Sequence, residues 1–172
     1  MLKMIQLLEQ LLEKEDIFKP LTFEEWVDRM ISSGIWTKNP DGTYSAKGDV
    51  KLSDKNLTKL PIKFKKVGGY FYCSHNQLTT LEGAPQEVGG SFWCNSNQLT
   101  TLKGAPKEVS KDFVCSHNQL TTLEGAPQKV GRDFWCEDNK LITLKGIGIV
   151  KGTIYCSDNP VPEKELLKTI GK

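Results

Sequence analysis

Residues 73–86 read CSHNQLTTLEGAPQ, and the same letters return at 115–128. Each copy holds one of the chain's two histidines, His75 and His117, two residues after a cysteine. Cys, His and Asn within four positions invite a catalytic or metal-site reading. An altered copy midway argues against both. Cys94 opens CNSNQLTTLKGAP, with Ser96 in the histidine place, and Cys136 (CEDNKLITLKG) and Cys156 (CSDNPV) follow. The cysteines stand 21, 21, 21 and 20 residues apart, a fixed period that marks a solenoid or array. The histidine column reads His75, Ser96, His117, Asp138 and Asp158. A catalytic base would not exchange with serine and aspartate while everything around it repeats, so the phrase is read as architectural.

Aligned on the cysteine, the other columns separate. Val67, Val88, Val109, Val130 and Val150 precede it by six positions, and Phe71, Phe92, Phe113, Phe134 and Ile154 by two. Asn76, Asn97, Asn118, Asn139 and Asn159 follow it, then Leu78, Leu99, Leu120, Leu141 and Val161. On an extended strand Phe92 and Cys94 face the core while Trp93 faces out, and strands of successive coils stack about 4.8 Å apart. The Asn is expected to satisfy backbone groups at a bend, and each Cys to act as a small core hydrophobe. A linear ladder of thiols lacks the convergence a zinc cluster needs, so no metal and no cofactor is expected. In the outward column Glu82, Lys103, Glu124 and Lys145 alternate in sign, which avoids like-charge neighbours.

A chain of 172 residues makes one or at most two domains. A net charge of +2 gives no concentrated basic face for nucleic acid. The only dense basic run, Ile62-Lys63-Phe64-Lys65-Lys66, alternates as a half-buried strand does. No apolar run approaches the roughly 18 residues a membrane helix needs. The opening MLKMIQLLEQLLEKED carries glutamate and glutamine where an export signal is apolar, and five cysteines, an odd number, fit a reducing cytoplasm rather than a disulfide framework.

Thr22-Phe23-Glu24-Glu25 fits a capping box, and Phe23, Trp26, Val27, Met30 and Ile31 share a helical face that stops at Gly34. An earlier helix is expected at 2–13, a turn at Asn39-Pro40-Asp41-Gly42, and a short helix at 162–170. The flanks are expected to cover the ends of the solenoid; a docking role for residues 1–35 is the alternative. Upstream of the regular coils, DVKLSDKNLTKLP reads as a degenerate coil with Lys55 in the Asn place.

The phrase Phe-x-Cys-x-x-Asn-x-Leu-x-x-Leu and the stretch from Gly48 to Pro85 resemble leucine-rich repeat proteins common in tailed bacteriophages and gut bacterial sequences. The resemblance implies an α+β chain. A leucine-rich-repeat-like solenoid with a short-stranded parallel sheet would occupy 48–160, one degenerate and five regular coils. A helical N-terminal cap (1–47) and a short C-terminal cap (161–172) would flank it. It also implies a phage-encoded binding protein in the host cytoplasm, with no catalytic residues.

Function is expected on the outward strand positions, whose chemistry varies from coil to coil: Tyr70, Tyr72, Trp93, Asn95, Asp112, Val114, Asp133, Trp135, Glu137 and Tyr155. Tyr and Trp dominate interface hot spots, although aromatics also suit strands and stack across rungs. The expectation is a non-enzymatic module that grips a protein, a host protein whose antiviral role it blocks, through this face. A structural or virion-associated spacer is the alternative. Asp112, Asp133 and Glu137 would repel phosphate, so a nucleic-acid ligand is not expected.

Overall fold

The computed structural model describes residues 22–162, and the chain divides into two compact units, Met1–Gly34 and Ile35–Lys172. In the first, α1 (Phe23–Ser32) begins at the expected capping box. The Thr22 amide donates to Glu25 Oε2 at 2.7 Å, and the Glu25 amide donates to Thr22 Oγ1 at 3.2 Å. Gly34, at φ +70°, follows its end in the left-handed region that glycine enters without strain. The helices expected at 2–13 and 162–170 lie outside the described residues.

The second unit is a β-solenoid of about five turns. It starts with a hairpin, β1 (Trp36–Lys38) and β2 (Tyr44–Ala46), joined through the Asn39–Gly42 turn. Then come β3 (Val50–Lys51), β4 (Phe64–Val67), β5 (Phe71–Tyr72), β6 (Glu87–Val88) and β7 (Phe92–Trp93). The pattern continues with β8 (Glu108–Val109), β9 (Phe113–Val114), β10 (Lys129–Val130), β11 (Phe134–Trp135), β12 (Ile149–Val150) and β13 (Ile154–Tyr155).

Each coil therefore gives two strands to two sheets, not one strand to one sheet. The sheet expected from the Phe-x-Cys column is present, six-stranded in the order β13-β11-β9-β7-β5-β3 and parallel throughout. The valine column forms a second, seven-stranded sheet in the order β1-β2-β4-β6-β8-β10-β12. Its strands are parallel except for β1, which pairs antiparallel with β2. The basic run at 62–66 falls largely in β4, with Phe64 buried and Lys65 and Lys66 exposed.

The two sheets meet at a corner after each valine. There Gly89 packs so closely on the coil beneath that a Cβ would sit 2.2 Å from the Gly68 carbonyl oxygen. On the far side the Gly-Ala-Pro turn needs its glycine twice over: Gly104 has φ +92°, and a Cβ there would stand 2.8 Å from the Leu81 carbonyl.

Between the sheets lies a core of single-residue columns. Phe71, Phe92, Phe113 and Phe134 are fully buried, with successive ring centroids 5.2, 5.5 and 5.2 Å apart. Leu78, Leu99, Leu120 and Leu141 fill the opposite side of each coil, also fully buried. At the N-terminal end of this stack Phe64 meets Phe71 edge-on, and Trp36 meets Phe64 at 5.1 Å. The β1–β2 hairpin thus belongs to the solenoid and closes one end of its core.

The asparagines fix the coils to one another. Asn97 Nδ2 donates to the carbonyls of Cys73, Cys94 and Asn95 at 3.0, 3.1 and 3.2 Å, while its Oδ1 accepts from the Leu78 amide at 3.0 Å. Asn118 repeats this on Cys94, Cys115, Ser116 and Leu99, and Asn139 on the next coil. Lys55 departs from the column at β3, which ends its sheet among the described residues and has no coil beneath it there for an Asn to join. Its amide and that of Leu57 are both accepted by Asn76 Oδ1, at 3.1 and 3.0 Å.

Asn118→Ala removes a side chain serving four backbone groups, and each buried polar group left unpaired costs about 1–3 kcal/mol. The expected loss in chemical denaturation is at least about 2 kcal/mol, whereas exposed Gln119→Ala should stay within about 0.5 kcal/mol. Equal effects of the two would mean that the Asn column is not the joint.

Candidate functional site

The outward positions of the six-stranded sheet form three columns of side chains. The middle one runs Lys51, Tyr72, Trp93, Val114, Trp135 and Tyr155 in register, rung upon rung. Trp93 is 39% exposed, against 0% for its strand neighbours Phe92 and Cys94. Tyr72, Val114, Trp135 and Tyr155 are half-buried, each covered in part by its neighbours in the column.

The aromatics fall into two groups. Tyr70 stacks on Tyr72 at 5.8 Å, and Tyr72 lies tilted against Trp93 at 6.1 Å. Two rungs further on, Trp135 stacks on Tyr155 with centroids 3.8 Å apart. Val114 separates the groups. Burial raises the Tyr72 hydroxyl above its ordinary range, with Asp49 adding to the effect.

The flanking columns are less open than their sequence suggests. Ser91 is 1% exposed, and Ser74 and Ser116 are buried too. Two of these hydroxyls join a side-chain ladder: Ser74 Oγ donates to Asn95 Oδ1 at 2.6 Å, and Ser91 Oγ to Asp112 Oδ2 at 3.0 Å. The carboxylates receive backbone amides of the next coil. Asp49 Oδ1 accepts from Tyr70, Asp112 Oδ1 from Asp133, and Asp133 Oδ1 from Thr153. Glu137 Oε1 accepts from the Ser157 hydroxyl at 3.1 Å. Asp112, Asp133 and Asn95 therefore help hold the rungs in register as well as lining the face.

Two cations on the same face were not singled out in the sequence. Lys111 Nζ donates to the Tyr70 hydroxyl at 2.7 Å and lies 4.8 Å from that ring's centroid. Arg132 Nε stands 3.8 Å from Asp112 Oδ1. The signal was their position: both occupy the corner place that is glycine in Gly69, Gly90 and Gly152.

The histidine column has a backbone explanation. Asp54 in the degenerate coil and His75, Ser96, His117, Asp138 and Asp158 all have φ between +51° and +56°. Aspartate and histidine tolerate the left-handed region better than most residues. Both histidines are exposed, and His117 Nδ1 faces Asp138 Oδ2 of the next coil at 3.2 Å. Nothing converges on them: among the described residues no group of three or more His, Cys, Asp or Glu is placed to hold a metal ion.

Cys73, Cys94, Cys115 and Cys136 are free and buried, and burial pushes each thiol well above the ordinary cysteine range. Cys156 is only half-buried, because no coil among the described residues covers the last rung. On the charged column, Glu124 pairs with Lys145 at 3.2 Å, while Glu82 turns to Lys63 at 3.6 Å. Lys103 forms no ion pair among the described residues. Such exposed pairs contribute little.

The outer face of the other sheet carries a cleft of about 540 Å³ beside the hairpin. Its charges neutralise one another, Lys65 with Asp41 at 3.5 Å and Lys66 with Glu87 at 2.8 Å, so no free acid or base is presented.

No protein-family model matches the chain, and neither a curated protein nor a solved structure matches it. No helix among the described residues is long and apolar enough to cross a membrane.

Two outcomes follow for the repeated phrase. Alkylation of native protein should label Cys156 first and leave the other four cysteines protected until unfolding; early labelling of Cys115 would place that column outside the core. His117→Asn should leave stability within about 0.5 kcal/mol. His117→Val puts a β-branched residue at positive φ and should cost about 1–3 kcal/mol in the same denaturation measurement.

Proposed function

We propose that this chain is a non-enzymatic protein-binding module that grips its partner with the outer face of the six-stranded sheet. One observation carries the reading: Trp93 is 39% exposed on a rigid strand whose inward neighbours are fully buried, within a column that sets Tyr72, Trp135 and Tyr155 on the same face. Core packing does not require aromatics there, and rigid aromatics bind at low entropic cost because their rotamers are already restricted. The parallel rungs hold them at fixed spacing. The leucine-rich-repeat-like character of the solenoid is part of this proposal, supported by the Phe-x-Cys-x-x-Asn-x-Leu-x-x-Leu phrase.

The resemblance of that phrase to proteins of tailed bacteriophages supports a phage-encoded origin, a host protein as the partner and interference with antiviral defence as the result. The second reading is a structural or virion-associated spacer. Its support is the ladder that ties Ser91, Asp112 and Asp133 together, since those groups serve the fold as well as the face.

The two readings part on the tryptophans. After capture from host lysate and identification of the partner, Trp93→Ala and Trp135→Ala should each weaken binding at least roughly thirtyfold, equivalent to about 2 kcal/mol. Thermal stability should change little, and Lys103→Ala should alter neither. Undiminished binding by both Trp variants would remove the sheet face as the interface.

A further inference from the structure

Trp135 is covered unequally on the two sides of its ring. One side of its ring is covered by Tyr155 at 3.8 Å. The other looks along the column toward Val114, and no ring or cation covers it among the described residues. Trp93 likewise meets Tyr72 on one side and Val114 on the other. With rungs about 4.8 Å apart, the two tryptophan backbones stand about 10 Å from each other across Val114. A flat group held at about 3.5–4 Å from each of two rings needs roughly 7–8 Å between ring planes. Two rungs across Val114 thus leave room for one planar group between the indoles.

Charge decides which planar group. Two residues before Trp135 stands Asp133, and two after it Glu137, both outward on the same strand side. Asp133 commits Oδ1 to the Thr153 amide, and Glu137 commits Oε1 to the Ser157 hydroxyl. The second oxygen of each has no hydrogen bond among the described residues. The charge of Asp112, on the Val114 strand, is partly offset by Arg132, whose Nε lies 3.8 Å away. Beyond Glu137, Asp138 Oδ2 lies 3.2 Å from His117 Nδ1.

The first aromatic group already holds a cation, with Lys111 Nζ 4.8 Å from the Tyr70 centroid. The second stands beside Asp133 and Glu137 and holds no cation among the described residues. Resting on the binding role proposed above, we infer that the Trp93–Val114–Trp135 notch receives an arginine side chain from an extended protein segment. The guanidinium stacks between the indoles and donates to the free oxygens of Asp133 or Glu137. Arginine suits the notch better than lysine because its charge is planar and its donors form a fork.

The test uses the intact protein and three blocked tripeptides, Gly-Arg-Gly, Gly-Lys-Gly and Gly-citrulline-Gly, read by the indole N–H signals of the four tryptophans. The arginine peptide should shift Trp93 and Trp135 saturably and leave Trp26 and Trp36 unmoved, with the lysine peptide weaker and citrulline inert. Val114→Trp, which fills the notch, should abolish the response. Asp133→Asn with Glu137→Gln keeps an acceptor for Thr153 and Ser157 but removes both charges, and should weaken the response at least about threefold. No shift with the arginine peptide at tens of millimolar, or an equal one with citrulline or lysine, overturns the inference. If Trp93→Ala and Trp135→Ala still impair partner capture in that case, only the arginine is lost; if they do not, the binding face falls with it.

Discussion

The asparagine that follows each cysteine by three positions is the constraint on which the rest of the solenoid depends. A coil must turn sharply after its Phe-x-Cys strand, and at that bend backbone groups point inward with no strand to receive them. Asn97 supplies two N–H donors to carbonyls of its own coil and of the coil before, and one oxygen to the Leu78 amide of the coil before. The amide therefore does what a hydrogen-bonding strand partner would do, inside the core and at every rung. Reaching it requires the preceding residue to sit at positive φ, which is why histidine, serine and aspartate share that column and β-branched residues do not. The two histidines that looked most chemical in the sequence are there for their backbone.

Once the interior is a stack of identical columns, variation can be tolerated only outside. The Phe, Cys and Leu columns are fully buried through the middle coils, while the middle column of the sheet face runs through lysine, tyrosine, tryptophan and valine. That outer face is not wholly free either. Short side chains in the flanking columns fold down to carry amides and hydroxyls of adjacent coils, as Ser91, Asp112 and Asp133 do. Aromatics are too long to do this, so they stand above the polar ladder.

The repeat, its inward columns, the bend asparagine and the exposed tryptophan were legible because each is a single-residue periodicity, read without knowing the path of the chain. The second sheet was not. Four of its seven strands, β6, β8, β10 and β12, are two residues long, and a lone buried valine cannot show a period-two alternation. The hairpin was within reach. Trp36-Thr37-Lys38 and Tyr44-Ser45-Ala46 flank the Asn39-Pro40-Asp41-Gly42 turn, and two short runs on either side of such a turn are a hairpin signal. The burial of Ser74, Ser91 and Ser116 was hidden for a different reason. Sequence gives the side of a strand, but the depth of a small side chain depends on its larger neighbours.

The two ends of the solenoid differ among the described residues, and the difference bears on the proposed binding face. At the start, Trp36 closes the phenylalanine stack and β1 covers β2. At the last described rung Val150, Ile154 and Cys156 are only half-buried, Ile149 is 70% exposed, and β12 and β13 have no further strand among the described residues. In a solenoid each coil is stabilised mainly by its neighbours, so local stability declines toward an end with one neighbour. Tyr155 belongs to that final coil, yet it stacks on Trp135 of the coil before. A side chain seated between Trp93 and Trp135 would press on the same stack from the inner side. On the proposed function, binding at the notch and packing of the last described coil would share one column of rings, so that each would strengthen the other.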